Sequence, residues 1–112
     1  MMTWMADSLP KDVVSLLERL ESVLQLEILI ALHDSDEPLT PARLTRRIGG
    51  SVDQATQCLT ALAGQGLAVQ HGESDDACFL YRSNDLDRTV DRLAELYISR
   101  KVRVVSQLLR SV

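Results

Sequence analysis

The stretch that decides the fold is Thr40 to Arg82, TPARLTRRIGGSVDQATQCLTALAGQGLAVQHGESDDACFLYR. Thr40 can cap a first helix with its hydroxyl, and Pro41 suits the first helical position because its missing N–H would be unpaired there in any case. Gly49 can take the left-handed stop, so this helix is expected over 41–48. Ser51 and Gln54 have the capping-box spacing, in which each side chain satisfies a free backbone N–H at the start of a second helix, expected over 52–63. Val52, Ala55, Leu59 and Leu62 fall three and four apart and are expected to form its buried stripe. The opposite face carries Asp53, Gln54, Thr56, Gln57 and Thr60. Gly64 and Gly66 then punctuate the chain. The β-prone runs Leu67-Ala68-Val69-Gln70 and Cys78-Phe79-Leu80-Tyr81 flank the polar HGESDDA, which reads as a hairpin with strands at about 67–71 and 77–82.

Working outward toward the N-terminus, Pro38 ends the polar loop Asp34-Ser35-Asp36-Glu37, and Leu39 is expected to add a residue or two to the hairpin edge. Upstream, apolar residues from Leu9 to Ala31 keep a helical period. Ser22 and Gln25 repeat the capping-box spacing, so two helices are expected, near 11–20 and 22–33. The second is apolar on nearly every side and reads as a central helix covered by several neighbours. Residues 1–8, which include Trp4, are expected to be frayed.

Toward the C-terminus, Ser83, Asn84 or Asp85 can cap a last helix over 86–109. At 1.5 Å per residue it would be about 36 Å long. Its acids stand early and its bases late, as the helix dipole favours. Leu86, Val90, Leu93, Tyr97, Val104 and Leu108 form one apolar stripe, and Ala94, Ile98, Val105 and Leu109 a second. One domain covers one stripe, so a symmetry mate is expected on the other. The expected dimer interface comprises Leu16, Leu20, Leu93, Tyr97, Val104, Val105 and Leu108.

The chain therefore reads as one mainly α domain over 1–112 with a small β-hairpin. Residues 9–33 form the N-terminal helices, 40–82 the helix, turn, helix and hairpin, and 84–110 the C-terminal helix. Its 112 residues can bury a real core. The formal net charge is −4, but its distribution matters more. Residues 1–37 carry eight acids against two bases, 38–50 three arginines and no acid, 51–96 eight acids against three arginines, and 97–112 four bases and no acid. The two positive islands are the helix at 41–48 and the end of the chain.

Helix, turn, helix, hairpin is the winged helix-turn-helix, and LTPARLTRRIGGSVDQATQCLTALAGQGLAV resembles the MarR and ArsR type of bacterial transcriptional regulators. The resemblance covers about the middle third of the chain well and the flanking helices loosely. It implies a homodimer that lays the second helix into the major groove of double-stranded DNA. The contacts it implies are Thr40, Arg43, Arg46, Arg47, Ser51, Gln54, Thr56, Gln57 and Thr60. Arginines of the first helix would meet phosphates, Gln would pair with adenine, and Thr would meet phosphate or a thymine methyl. Two features depart from that pattern. The second helix has no Lys or Arg, and the hairpin loop carries Glu73, Asp75 and Asp76 where relatives place a basic residue. A second reading stays open, a winged-helix module that binds a basic protein partner and no DNA.

Other classes find little in the sequence. There is no Gly-rich phosphate loop and no His beside a nucleophile, so an enzyme is not expected. His33 and His71 stand at the ends of elements. Cys58 and Cys78, twenty residues apart, make neither a disulfide framework nor a zinc site, and a half-buried packing role is expected for both. Neither a metal nor a cofactor is expected. No basic n-region with an apolar core opens the chain and no run approaches eighteen apolar residues, so the expected compartment is the cytoplasm.

Overall fold

The computed structural model describes residues 9–72 and 77–111. These fold into helices α1 (Lys11–Leu17), α2 (Val23–Asp34), α3 (Pro41–Ile48) and α4 (Val52–Gly64), strands β1 (Ala68–His71) and β2 (Cys78–Tyr81), and helices α5 (Asp87–Ser99) and α6 (Lys101–Ser111). The protein is mainly helical with one two-stranded antiparallel sheet. The expectations for Trp4, for residues 1–8 and for the acids of the hairpin loop fall outside the described residues.

Two helices do precede the loop at 34–40, as the Ser22 signal predicts. Ser22 Oγ accepts from Gln25 N–H at 3.1 Å, and Gln25 Oε1 accepts from Glu21 N–H at 2.7 Å. Only the serine half of the expected capping box forms, because Gln25 accepts from Glu21 N–H rather than from Ser22 N–H, and together the two bonds fix where α2 starts. α1 is shorter than expected because its last turn tightens into Arg19 N–H to Leu16 O and Leu20 N–H to Leu17 O bonds. Leu26, Ile28, Leu29 and Leu32 are all buried, so α2 is the covered central helix that its all-round apolarity demands. It packs against α3, α4, β2 and α5.

The sheet pairs Ala68 with Tyr81, Val69 with Leu80, Gln70 with Phe79 and His71 with Cys78. Leu39 joins its edge as expected. Its N–H donates to Phe79 O and its carbonyl accepts from Phe79 N–H, both at 2.8 Å. Phe79 points into the core at 2% exposure and so fixes the hairpin to the helices.

The end of the chain departs from the expectation of one helix over 86–109. Arg100, at φ −139° and ψ 50°, interrupts it, and α6 starts anew at Lys101. α6 packs on both α1 and α5, which brings Val104 and Leu108 to full burial within one chain. The helix also starts differently from expectation, with no side-chain cap at Leu86. Instead the Asp87 carboxylate accepts from Asn84 N–H at 2.9 Å, from Tyr81 Oη at 2.8 Å and from Ser83 Oγ. These bonds, Ser83 first, hold the Asp87 carboxyl below the usual carboxylate range.

Polar ties lock the helices across the core. Asp12 of α1 accepts from Thr89 Oγ1 at 3.0 Å and from Arg92 Nη1 at 2.8 and 2.9 Å. His33 at the end of α2 meets Asp34 and Asp91 and stands edge-on to Tyr81, ring centres 5.2 Å apart. Tyr97 Oη donates to Glu27 at 2.9 Å. Burial, then that bond and the charge of Glu27, push the Tyr97 phenol up to about 12.

Two measurements check this packing. Leu29→Ala should destabilise the fold by roughly 2–5 kcal/mol, the cost of a core cavity, whereas Val52→Ala should change it by less than about 0.5 kcal/mol. Chemical denaturation of both variants reads the difference, and equal losses would contradict the burial pattern. The raised Tyr97 phenol keeps its proton in the folded chain after the unfolded chain has lost it, so stability should fall between about pH 10 and 12. Tyr97→Phe should flatten that fall.

Candidate nucleic-acid interface

α3 begins where Thr40 Oγ1 accepts from Arg43 N–H at 3.2 Å and Pro41 takes the first turn. It ends at Gly49 and Gly50, with φ of 105° and 81°. A side chain at Gly50 would be strained by that φ, and its Cβ would stand 3.1 Å from Gln54 Oε1, so the Gln54 side chain would have to give by a few tenths of an ångström. The turn leads directly to Ser51, whose hydroxyl accepts from Gln54 N–H at 3.1 Å while Gln54 Oε1 accepts from Ser51 N–H at 3.0 Å. Both halves of the expected capping box are therefore present.

α4 buries Ala55, Leu59 and Leu62 as expected. Val52 departs from the expectation, because at the first helical position it lies beyond the covered stripe and is 48% exposed. The side chains of Ser51, Asp53, Gln54, Thr56, Gln57 and Thr60 are exposed together with it. α3 contributes Arg43, Arg46 and Arg47, also exposed. The structure thus brings the predicted contact residues to the solvent sides of one packed helix pair, with Thr40 half-buried at its start.

Their free valences differ more than the sequence suggests. Gln54 Oε1 is committed to the cap, so a bidentate pair with a base edge would compete with the start of its own helix. Thr56 Oγ1 donates back to Val52 O at 2.8 Å. Gln57 and Thr60 carry no such commitment among the described hydrogen bonds. Arg43 stands 3.7 Å from Glu37, with both side chains more than half exposed, an arrangement that contributes little energy. Arg46 and Arg47 have no carboxylate within ion-pair distance among the described residues.

The chemistry this surface offers is two layers deep. Unpaired guanidinium groups suit phosphate oxygens. Beside them, Gln57 offers a donor and an acceptor, Thr60 a hydroxyl, and Val52 an apolar contact of the kind that meets a thymine methyl. Val52 was missed from sequence because helical spacing alone joins it to the core. Its place directly after the cap, where the helix has just emerged from the turn, is the signal that separates it.

No group of three or more His, Cys, Asp or Glu side chains among the described residues could hold a metal ion. Burial, reinforced by the Glu21 charge and only partly offset by a bond with Ser22, pushes the Cys58 thiol up, away from the nucleophilic thiolate form. Cys58 and Cys78 are both half-buried free thiols. No helix among the described residues is long and apolar enough to cross a membrane.

Comparison with protein-family models, with curated proteins and with solved structures returned no match.

The capping box separates two roles that the sequence gives to one glutamine. Ser51→Ala and Gln54→Ala should each destabilise α4, the serine change by roughly 0.5–2 kcal/mol. Gln57→Ala should leave thermal stability within a degree or two and change surface chemistry alone. A Gln57 variant as unstable as the Ser51 variant would contradict this division.

Proposed function

We propose that the chain is a winged helix-turn-helix regulator of transcription that acts in the cytoplasm and binds double-stranded DNA as a homodimer. On this reading α3 and α4 are the helix-turn-helix, β1 and β2 are the wing, and α4 lies in the major groove. The observation that carries it is the pair of capped helices joined by the Gly49–Gly50 turn, with the uncommitted Gln57 and Thr60 on α4 and the exposed Arg46 and Arg47 on α3. Arg46 and Arg47, with Arg43 once it leaves Glu37, neutralise phosphates. Gln57, Thr60 and Val52 read base edges, and Gln54 holds the helix start. No catalytic step belongs to this reading.

The homodimer needs a different surface from the one the sequence suggests. Leu16, Leu20, Leu93, Val104 and Leu108 are at most 2% exposed within one chain, so they are core residues and unavailable to a partner. Tyr97 is tied to Glu27, and Val105 is half-buried. Of the second stripe Ala94 is buried and Val105 half-buried, but Ile98 at the end of α5 is 84% exposed and Leu109 on α6 61%, and Val102, just past the break at Arg100, is 81% exposed. Exposed apolar patches of this kind mark interaction surfaces.

The alternative of a protein-binding module draws on the absence of any Lys or Arg on α4 and on Asp53 at its exposed start. Salt dependence distinguishes the two readings. Binding to genomic DNA fragments should weaken steeply with salt, and replacing Arg43, Arg46 and Arg47 together by alanine should flatten the slope by up to about three units, roughly one per lost phosphate contact. Gln57→Ala should instead change sequence preference. A wild type that binds no DNA at low salt, run beside a pull-down that captures a basic protein, would establish the module reading in its place. For the dimer, sedimentation of wild type should exceed the 12.5 kDa monomer mass, and Val102→Glu with Leu109→Glu should return it to monomer. A wild type that stays monomeric at every concentration contradicts the homodimer.

A further inference from the structure

α3 and the loop before it border a cleft of about 300 Å³. Arg43, Arg46 and Arg47 line it from the helix, and the one acid in its lining, Glu37, comes from the loop. Glu37 sits on an anchored backbone. On one side Ser35 Oγ accepts from Glu37 N–H at 3.2 Å and donates to Glu37 O at 2.8 Å. On the other, Pro38 has a fixed φ, and Leu39 is bound into the sheet edge by two 2.8 Å bonds with Phe79. The loop therefore delivers its carboxylate to α3, where Glu37 Oε2 stands 3.7 Å from Arg43 Nη1.

A carboxylate set among three guanidinium groups marks the cleft as a place for an oxyanion. Arg46 and Arg47 have no carboxylate within ion-pair distance among the described residues. Arg43 has Glu37, but both side chains are more than half exposed, so the pair is weak and exchanges readily with an outside anion. A phosphate group suits that exchange, because its several acceptor oxygens can serve more than one arginine, while Glu37 reaches Arg43 alone. The phosphate reaches Arg43 only in molecules where the Glu37 pair is open, which lowers its apparent affinity by that fraction. We propose that Glu37 is a built-in competitor for the phosphate group that the α3 arginines bind, and so sets the affinity of the cleft from within the chain. The competition for phosphate stands on the cleft itself, whereas its consequence for DNA rests on the regulator reading.

The test uses the full chain, labelled with ¹⁵N and free of DNA, titrated with inorganic phosphate at constant ionic strength. The Nε–Hε signals of Arg43, Arg46 and Arg47, assigned by their loss in the single alanine variants, should move saturably. Glu37→Gln should lower the midpoint about two- to five-fold, the span of a broken surface ion pair. Arg43→Ala with Glu37→Gln should show no gain over Arg43→Ala alone, read on Arg46 and Arg47, because the contested group is gone. Binding to a DNA duplex at low salt should follow the same pattern. Glu37 is largely exposed, so its replacement leaves the fold intact, which an unchanged thermal unfolding curve verifies.

Arginine signals that do not respond to phosphate in Glu37→Gln, or a midpoint equal to that of wild type, would overturn the competitor. A gain that persists undiminished in the Arg43→Ala background would overturn it too, since overall charge then suffices. The expected phosphate results in a chain that binds no DNA would leave the competitor in place and overturn the regulator reading alone.

Discussion

The constraint on which the rest depends is the all-round apolarity of α2. Leu26, Ile28, Leu29 and Leu32 fill one face completely, and the apolar Leu24, Ile30 and Ala31 on the remaining sides are half-buried, so other elements must close over most of the helix. α3 and α4 cover part of it, β2 brings Phe79 to another part, and α5 brings Val90 and Leu93. Burial of such side chains stabilises by roughly 1.5–3 kcal/mol each, more than any surface ion pair here can contribute. The polar ties Tyr97 to Glu27 and His33 to Asp91 then select how the covering helices sit. They act on an arrangement that burial has already enforced.

From that core the candidate surface follows with little freedom. α4 must turn Ala55, Leu59 and Leu62 inward, so its remaining positions face out. The Gly49–Gly50 turn sets the entry, and the Ser51–Gln54 box sets the first residue of the helix. What reaches solvent is a polar face with one apolar residue, Val52, beside the arginines of α3. The proposed reading of DNA uses a surface that the packing had to expose in any case, and the chemistry of the side chains placed there is what distinguishes a reader from a bland solvated face.

Much of this was legible from residues alone, for a local reason. Caps and glycines act within three or four residues of where they stand, so Thr40, Ser51 and Gly49 place α3 and α4 to within a residue. Hydrophobic period gives α2 and the hairpin with similar precision. The break at Arg100 was not legible, since Ser99, Arg100 and Lys101 carry no proline or glycine and the apolar period runs on through them. It arises from tertiary packing, because α6 must change direction to lay Val104 and Leu108 against α1. For the same reason Leu16, Leu20, Leu93, Val104 and Leu108, expected at a dimer seam, are core, and the apolar residues left open are Ile98, Val102 and Leu109. The double demand on Gln54 lay in the sequence all along, as cap partner and as base reader, but only the 3.0 Å bond shows which demand is met.

The central claim is that α3 and α4 form a DNA-reading surface, and amide chemical-shift mapping with a short mixed-sequence duplex at low salt tests it most directly. The account predicts that the largest perturbations fall on Arg46, Arg47, Val52, Gln57 and Thr60, with α5 and α6 little changed. Perturbations that cluster on α5 and α6, or an absence of any shift at low salt, would contradict it.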